Sequence, residues 1–225
     1  NRQAGRPIAG ISPSDARLLL ELNAWNTRMA LSAGGKTLNA ATVLDKCGIA
    51  QSIASHALND LGITVHPANV GDLVSVDRKN LDMGRHAITI ASIPVQGANG
   101  KIEVKNFLLD ATFRQVVPPS ISDATFQKNQ QYAPGTNMVS TKHGAAVVNE
   151  ILRNGFIEFT PQVARTYLDG FHQAGKSTSP LPSAEELLAQ IRKADTSRID
   201  HSREELRKYH NNVNVNPPDQ MPSLE

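Results

Sequence analysis

A single cysteine, Cys47, stands among the 225 residues, so no disulfide can form within the chain and the thiol has no stapling duty. A thiol becomes a good nucleophile only as thiolate, and the unpaired N–H groups and positive dipole end of a helix N-terminus favour that form. The stretch Leu44-Asp45-Lys46-Cys47-Gly48-Ile49-Ala50, continuing through Ile53, Ala54, Ala57, Leu58 and Leu61 to Gly62, predicts such a helix. Asp45 reads as its N-cap, which sets Cys47 in the first turn. A thiolate nucleophile then needs a base, and the base needs a group to hold it.

Those partners come from a hairpin. Residues 85 to 96 alternate as a strand, Gly97-Ala98-Asn99-Gly100 is a turn signal, and Lys101 to Asp110 returns as the second strand. A turn centred near Ala98 and Asn99 sets His86 opposite residue 110 or 111, which puts His86 and Asp110 side by side. Cys47, His86 and Asp110 are therefore the candidate nucleophile, base and orienting group. Each residue alone has a plainer reading: Cys47 as a small buried hydrophobe, His86 as a strand-edge histidine held by backbone, Asp110 as the cap of a turn.

The elements around this trio follow from periodicity. Ser12-Pro13-Ser14-Asp15 supplies N-cap chemistry for a helix carrying Leu18, Leu19, Leu22, Trp25 and Met29 and ending near Gly34-Gly35; the apolar stripe reads as core. Val70 to Val76 reads as a short strand. Polar, proline-interrupted sequence runs from Pro118 to Thr141, Ala145 to Asn154 reads as helix, and Thr160-Pro161 starts a helix reaching about Gln173. A Ser/Pro-rich linker from Lys176 to Ser183 precedes two charged, mostly solvated helices at 184–194 and 202–209, and an Asn/Pro-rich tail. The expected fold class is α+β, with a catalytic core over 12–175, a helical annex over 176–210 and a disordered tail over 211–225.

The order Cys, His, Asp, with the Cys47 helix start, Arg85-His86-Ala87 opening a strand and Asn106-Phe107-Leu108-Leu109-Asp110-Ala111-Thr112-Phe113-Arg114-Gln115 closing the next, resembles the papain-like cysteine hydrolases. Within them it is most similar to the toxin and effector branch that holds the deamidase domain of the Pasteurella multocida mitogenic toxin and effectors of Shigella, Salmonella and plant pathogens. The resemblance spans about 37–172, and its most specific piece is Leu-Asp-Ala-Thr-Phe-Arg-Gln. It implies a nucleophile-bearing helix packed on an antiparallel sheet, with Cys47 as nucleophile, His86 as general base and acid, Asp110 as orienter and Gln115 as an active-site or supporting amide. Asn39, upstream of Cys47, is the available second donor for an oxyanion hole and reads equally well as a loop residue. The resemblance further implies a secreted bacterial protein that acts in the host cell cytoplasm on a host protein. Glutamine deamidation, proteolysis and transglutamination share the same trio. Gly71-Asp72-Leu73-Val74 is similar to the cell-wall amidase branch, whereas Asp110 fits the toxin branch better.

Composition narrows the alternatives. With 23 basic against 21 acidic residues, scattered rather than clustered, the chain offers no nucleic-acid footprint. No apolar run approaches the ~18 residues of a membrane span. His56, His66, His143, His172, His201 and His210 show no zinc-ligand spacing, so no metal or other cofactor is expected. His56 lies more than two helical turns beyond Cys47, too far to serve as its base. The chain starts at Asn1 and ends in Leu224-Glu225, a dipeptide that cloning sites leave behind, so an excised domain is expected. The rival from another class is a non-catalytic binding domain that docks a partner through the annex helices.

Overall fold

The computed structural model describes residues 9–32, 38, 42–43, 45–74, 86–117, 134–175 and 179–192. It is an α+β protein. Helices α1 (Pro13–Leu31) and α2 (Cys47–Asp60) precede strand β1 (Thr64–Asn69) and the short α3 (Val70–Val74). The hairpin β2 (Ala87–Gln96) and β3 (Ile102–Leu109) follows, then a 3-10 turn at Phe113–Val116. Helices α4 (Pro134–Met138) and α5 (Lys142–Asn154), strand β4 (Phe156–Glu158), and helices α6 (Pro161–Ala174) and α7 (Ala184–Arg192) complete it. The four strands form one antiparallel sheet in the order β1-β2-β3-β4.

The sheet is covered on both faces. Ala91, Ile93, Val95, Leu109, Val65 and Phe156 pack with Ala16, Leu20 and Ala24 of α1 and Ala54 and Leu58 of α2. Ile88, Ile90, Leu108 and Ile157, pointing the other way, pack with α5 and α6 through Val147, Ile151, Leu168 and Phe171. Period-two alternation on a strand buried on both sides delivers one side chain to each helix layer in turn. A third cluster joins Leu31 at the end of α1 and Ala50 of α2 through Leu38 and Val43.

Local chemistry starts and stops the helices as the sequence predicts in three places. Ser12 accepts from Asp15 N–H with Pro13 at the first helical position, Thr160 accepts from Val163 N–H ahead of Pro161, and Gly155 closes α5 in the left-handed region at φ 78°.

Several expectations are corrected. Val70–Val74 is a helical turn, not a strand, because the Val70 N–H goes to His86 O as the last rung of the sheet and the chain then turns away. The missed strand lies just before it and contains Pro67. Since β1 pairs only with β2, Pro67 sits at the sheet edge, where its absent N–H costs no ladder bond. Asp45 is not the N-cap of α2. It takes φ 58° in the turn, and the capping position falls to Lys46, which makes no side-chain cap bond. Three residues of the stripe expected in the core are instead on the surface: Leu18, Leu22 and Trp25 are 54%, 58% and 43% exposed, while Leu19 and Met29 are half-buried and α1 buries Ala16, Leu20, Ala24 and Leu31. Small residues permit the close approach to α2 and the sheet, which rotates the larger ones outward.

Helix α7 is mostly solvated as expected, with Glu185, Glu186, Ala189 and Gln190 exposed, while it packs against α6, α3 and β1 and Leu188, with Leu181 just ahead of the helix, is partly buried on the main core. The second annex helix at 202–209, the tail and most of the Pro118 to Thr141 stretch lie outside the described residues; Pro134–Met138 within that stretch is helical.

Candidate functional site

Cys47 is the first residue of α2 and is half-buried. Lys46 O accepts from Ala50 N–H and Lys46 N–H donates to Val43 O, so the turn into the helix is tied on both sides of the thiol. The Lys46 ammonium reaches back to Leu31 O at 3.3 Å, joining this turn to the end of α1. Gln51, one turn further on, donates to Ala68 O at 2.9 Å and Ile88 O at 2.6 Å. It clamps α2 to the place where β1 and β2 part, and that is where His86 enters the sheet.

His86 and Asp110 are both buried. His86 Nε2–H donates to Asp110 Oδ2 at 2.7 Å. The observed register differs from the expected one. Gln96 pairs with Ile102 and Thr89 with Leu109, so continuing the ladder places Thr112, not Asp110, opposite His86. The turn runs through Gly97 to Lys101 with Gly100 at φ 75°, one residue longer on its return limb than a turn centred between Ala98 and Asn99. His86 and Asp110 are therefore diagonal neighbours on one face, still within side-chain reach. Asp110 N–H donates to Gly155 O at 3.0 Å, which pins its backbone as the strand ends.

With Nε2 committed to Asp110, Nδ1 is the nitrogen left to face the thiol. Cys47 hydrogen-bonds to the His86 side chain and accepts from the Ala87 N–H. Burial pushes the Cys47 thiol up, but the His86 hydrogen bond and charge and the Ala87 N–H more than offset this, and its pKa lies below the ordinary thiol value. For His86, burial lowers the pKa, yet the Asp110 charge and hydrogen bond, with a smaller contribution from Cys47, raise it to about 10. The directions agree: the site favours a thiolate–imidazolium pair.

Gln115, on the 3-10 turn, is part of the same network. Its Oε1 accepts from Asp45 N–H at 3.3 Å, and its Nε2 donates to Thr112 Oγ1 at 3.1 Å and lies 3.2 Å from His86 Nδ1. The amide orientation follows from those partners. An amide N–H can be accepted by Nδ1 only on a neutral ring, so the two contacts of Nδ1 are alternatives: Gln115 holds the neutral imidazole and the Cys47 thiolate holds the imidazolium. Asn39 lies outside the described residues.

Two residues of the site carried no sequence signal. Tyr167 of α6 donates its hydroxyl to Asp110 Oδ2 at 2.7 Å, and Phe171 one turn later stacks on His86 with ring centroids 5.4 Å apart and planes at 15°. Both occur at helical spacing with Val163, Ala164 and Leu168, a pattern that reads only as core. Among the described residues, no group of three His, Cys, Asp or Glu is placed to hold a metal ion, and no helix is long and apolar enough to cross a membrane. At the ends of two strands and the start of a helix the site brings together a buried carboxylate, a histidine bonded to it and a thiol bonded to that histidine. Comparison of the chain with protein-family models, curated proteins and solved structures found no match.

Proposed function

We propose that this chain is a cysteine-dependent amidohydrolase with a papain-like arrangement of Cys47, His86 and Asp110. The observation that carries the reading is the 2.7 Å bond from His86 Nε2 to buried Asp110, with the Cys47 thiol hydrogen-bonded to the same histidine. Nucleophile, base and orienter are in hydrogen-bond sequence, as covalent catalysis on an amide requires.

The Cys47 thiolate attacks the amide carbon, and the tetrahedral oxyanion forms beside the N-terminus of α2, whose dipole favours negative charge there. His86 gives its Nδ1 proton to the departing nitrogen as the C–N bond breaks, leaving a thioester on Cys47. The ring, now neutral, takes a proton from water, which attacks the thioester; the acid product leaves and the Cys47 thiolate and His86 imidazolium are restored. Asp110 holds the ring in the tautomer that keeps Nδ1 available throughout.

The particular activity we favour is deamidation of a glutamine side chain on a host protein by a secreted bacterial effector, as the resemblance implies. Iodoacetamide should label Cys47 far faster than a free thiol near neutral pH; labelling at the free-thiol rate refutes the enzyme reading. Incubation with a candidate host protein should raise its intact mass by about one dalton, the exchange of amide for acid, with no change in a Cys47→Ala control. Two fragments in place of that shift would make the chain a protease.

A further inference from the structure

The acid side of the site is built by a helix that supplies none of its three reacting groups. Asp110 Oδ2 receives two donors at the same distance, His86 Nε2–H and the Tyr167 hydroxyl, each 2.7 Å away. Tyr167 is fully buried. Its ring is locked among Phe113, Phe159 and Phe171, with centroids 5.6, 6.3 and 5.0 Å away, so the hydroxyl has little freedom to leave the carboxylate. Thr112 Oγ1, at 3.4 Å from Oδ1, is the longer and weaker partner of the other oxygen. A carboxylate this buried is costly unless its lone pairs are satisfied, and two donors converging on one oxygen also fix the plane in which the group lies.

We propose that Tyr167 is a positioning residue for this site, its hydroxyl holding Asp110 Oδ2 on His86 Nε2 and taking up part of the carboxylate's charge. This role rests on the hydrolase reading. Burial, and then the charge and hydrogen bond of Asp110, push the Tyr167 phenol well above its ordinary value, so it stays a donor through the working range. Sharing Oδ2 between two donors spends part of its accepting capacity on Tyr167 and leaves less for the His86 Nε2–H. The proton therefore stays on His86 and can be released at Nδ1 to a leaving group. The titratable groups that interact with this pair are Cys47 from α2 and Tyr167 from α6; Thr112 and Gln115 face it as neutral donors.

The test is the pH profile of Cys47 alkylation by iodoacetate. The anionic reagent is drawn to the imidazolium, so the rate falls on the alkaline side as His86 loses its proton. In Tyr167→Phe the ring packing is kept and only the hydroxyl is lost. The alkaline limb should move up by at least about half a pH unit, because Asp110 then holds the His86 proton more tightly. A chain carrying 3-fluorotyrosine at 167, a stronger donor of the same shape, should move the limb down, and it serves as the test if the phenylalanine variant does not fold. A limb that is unchanged, or that moves opposite to these directions, in a folded variant overturns the role of Tyr167. Wild-type Cys47 that reacts no faster than a free thiol overturns the hydrolase reading instead, so the two failures are distinct.

Discussion

Two buried histidines occupy the same sheet and differ in what their partners leave them able to do. His66 on β1 lies with Nε2 3.2 Å from Ser92 Oγ, and Ser92 in turn donates to Asn106 Oδ1 at 2.8 Å. The serine proton is thus spent on Asn106, so the histidine must be the donor to Ser92 Oγ. His86 also spends its Nε2–H, but on a carboxylate, and its side chain hydrogen-bonds to a thiol at the start of a helix. Burial alone does not make a histidine catalytic; a charged acceptor behind it and an ionisable group in front of it do. The His66 group ends on the uncharged side chains of Ser92 and Asn106, whereas the His86 group ends on a buried carboxylate.

Removing the charge behind His86 should abolish the contrast. Asp110→Asn keeps the shape but favours the wrong ring tautomer, and amide hydrolysis should fall by roughly 10³–10⁴-fold. Thiol alkylation near neutral pH should slow with it, as the imidazolium is lost; turnover within a few-fold of wild type would remove Asp110 from the trio.

The same pair leaves a mark on stability. A histidine raised to about 10 contributes stability that is complete below its ordinary value and is lost as the pH rises through about 10. The urea midpoint of the wild type should accordingly fall more steeply than that of Asp110→Asn across that range. Parallel curves for the two proteins would contradict the charge pair.

Gln115→Ala sharpens the comparison from the other side. Removing the amide that stabilises the neutral ring should favour the imidazolium and move the acid limb of Cys47 alkylation to lower pH. A shift to higher pH would mean that Gln115 supports the charged state.

The smallest effect belongs to the other histidine. Ser92→Ala should leave alkylation and turnover of the Cys47 site unchanged while costing about 1 kcal/mol of stability, the scale of a lost buried hydrogen bond. Thermal unfolding beside the alkylation assay separates the two, and a loss of Cys47 reactivity would couple the networks.

How far the sequence carried can be judged at particular residues. Ser12-Pro13, Thr160-Pro161 and Gly155 act through their own backbone neighbours, and they are legible because capping is local. The hairpin was legible as a hairpin, but its register was not. One left-handed residue, Gly100, added to the return limb changes which residues face each other without changing composition. The α1 stripe misled because amphipathic period reveals a face and not what it meets. Here Ala16, Leu20 and Ala24 won the interior, and Leu18, Leu22 and Trp25 were left outside.

The sequence by itself determined that one thiol would open a helix, that His86 and Asp110 would share a hairpin, and that the fold would be α+β. Only the tertiary structure decided that Asp110 answers to Tyr167 as well as His86, that Phe171 covers the imidazole, and that Gln115 and Cys47 both bond to His86. The physical reason is range. Helix starts and turns depend on bonds between residues a few positions apart, while the proton affinity of His86 depends on buried charges and donors up to 81 positions away along the chain, at Tyr167.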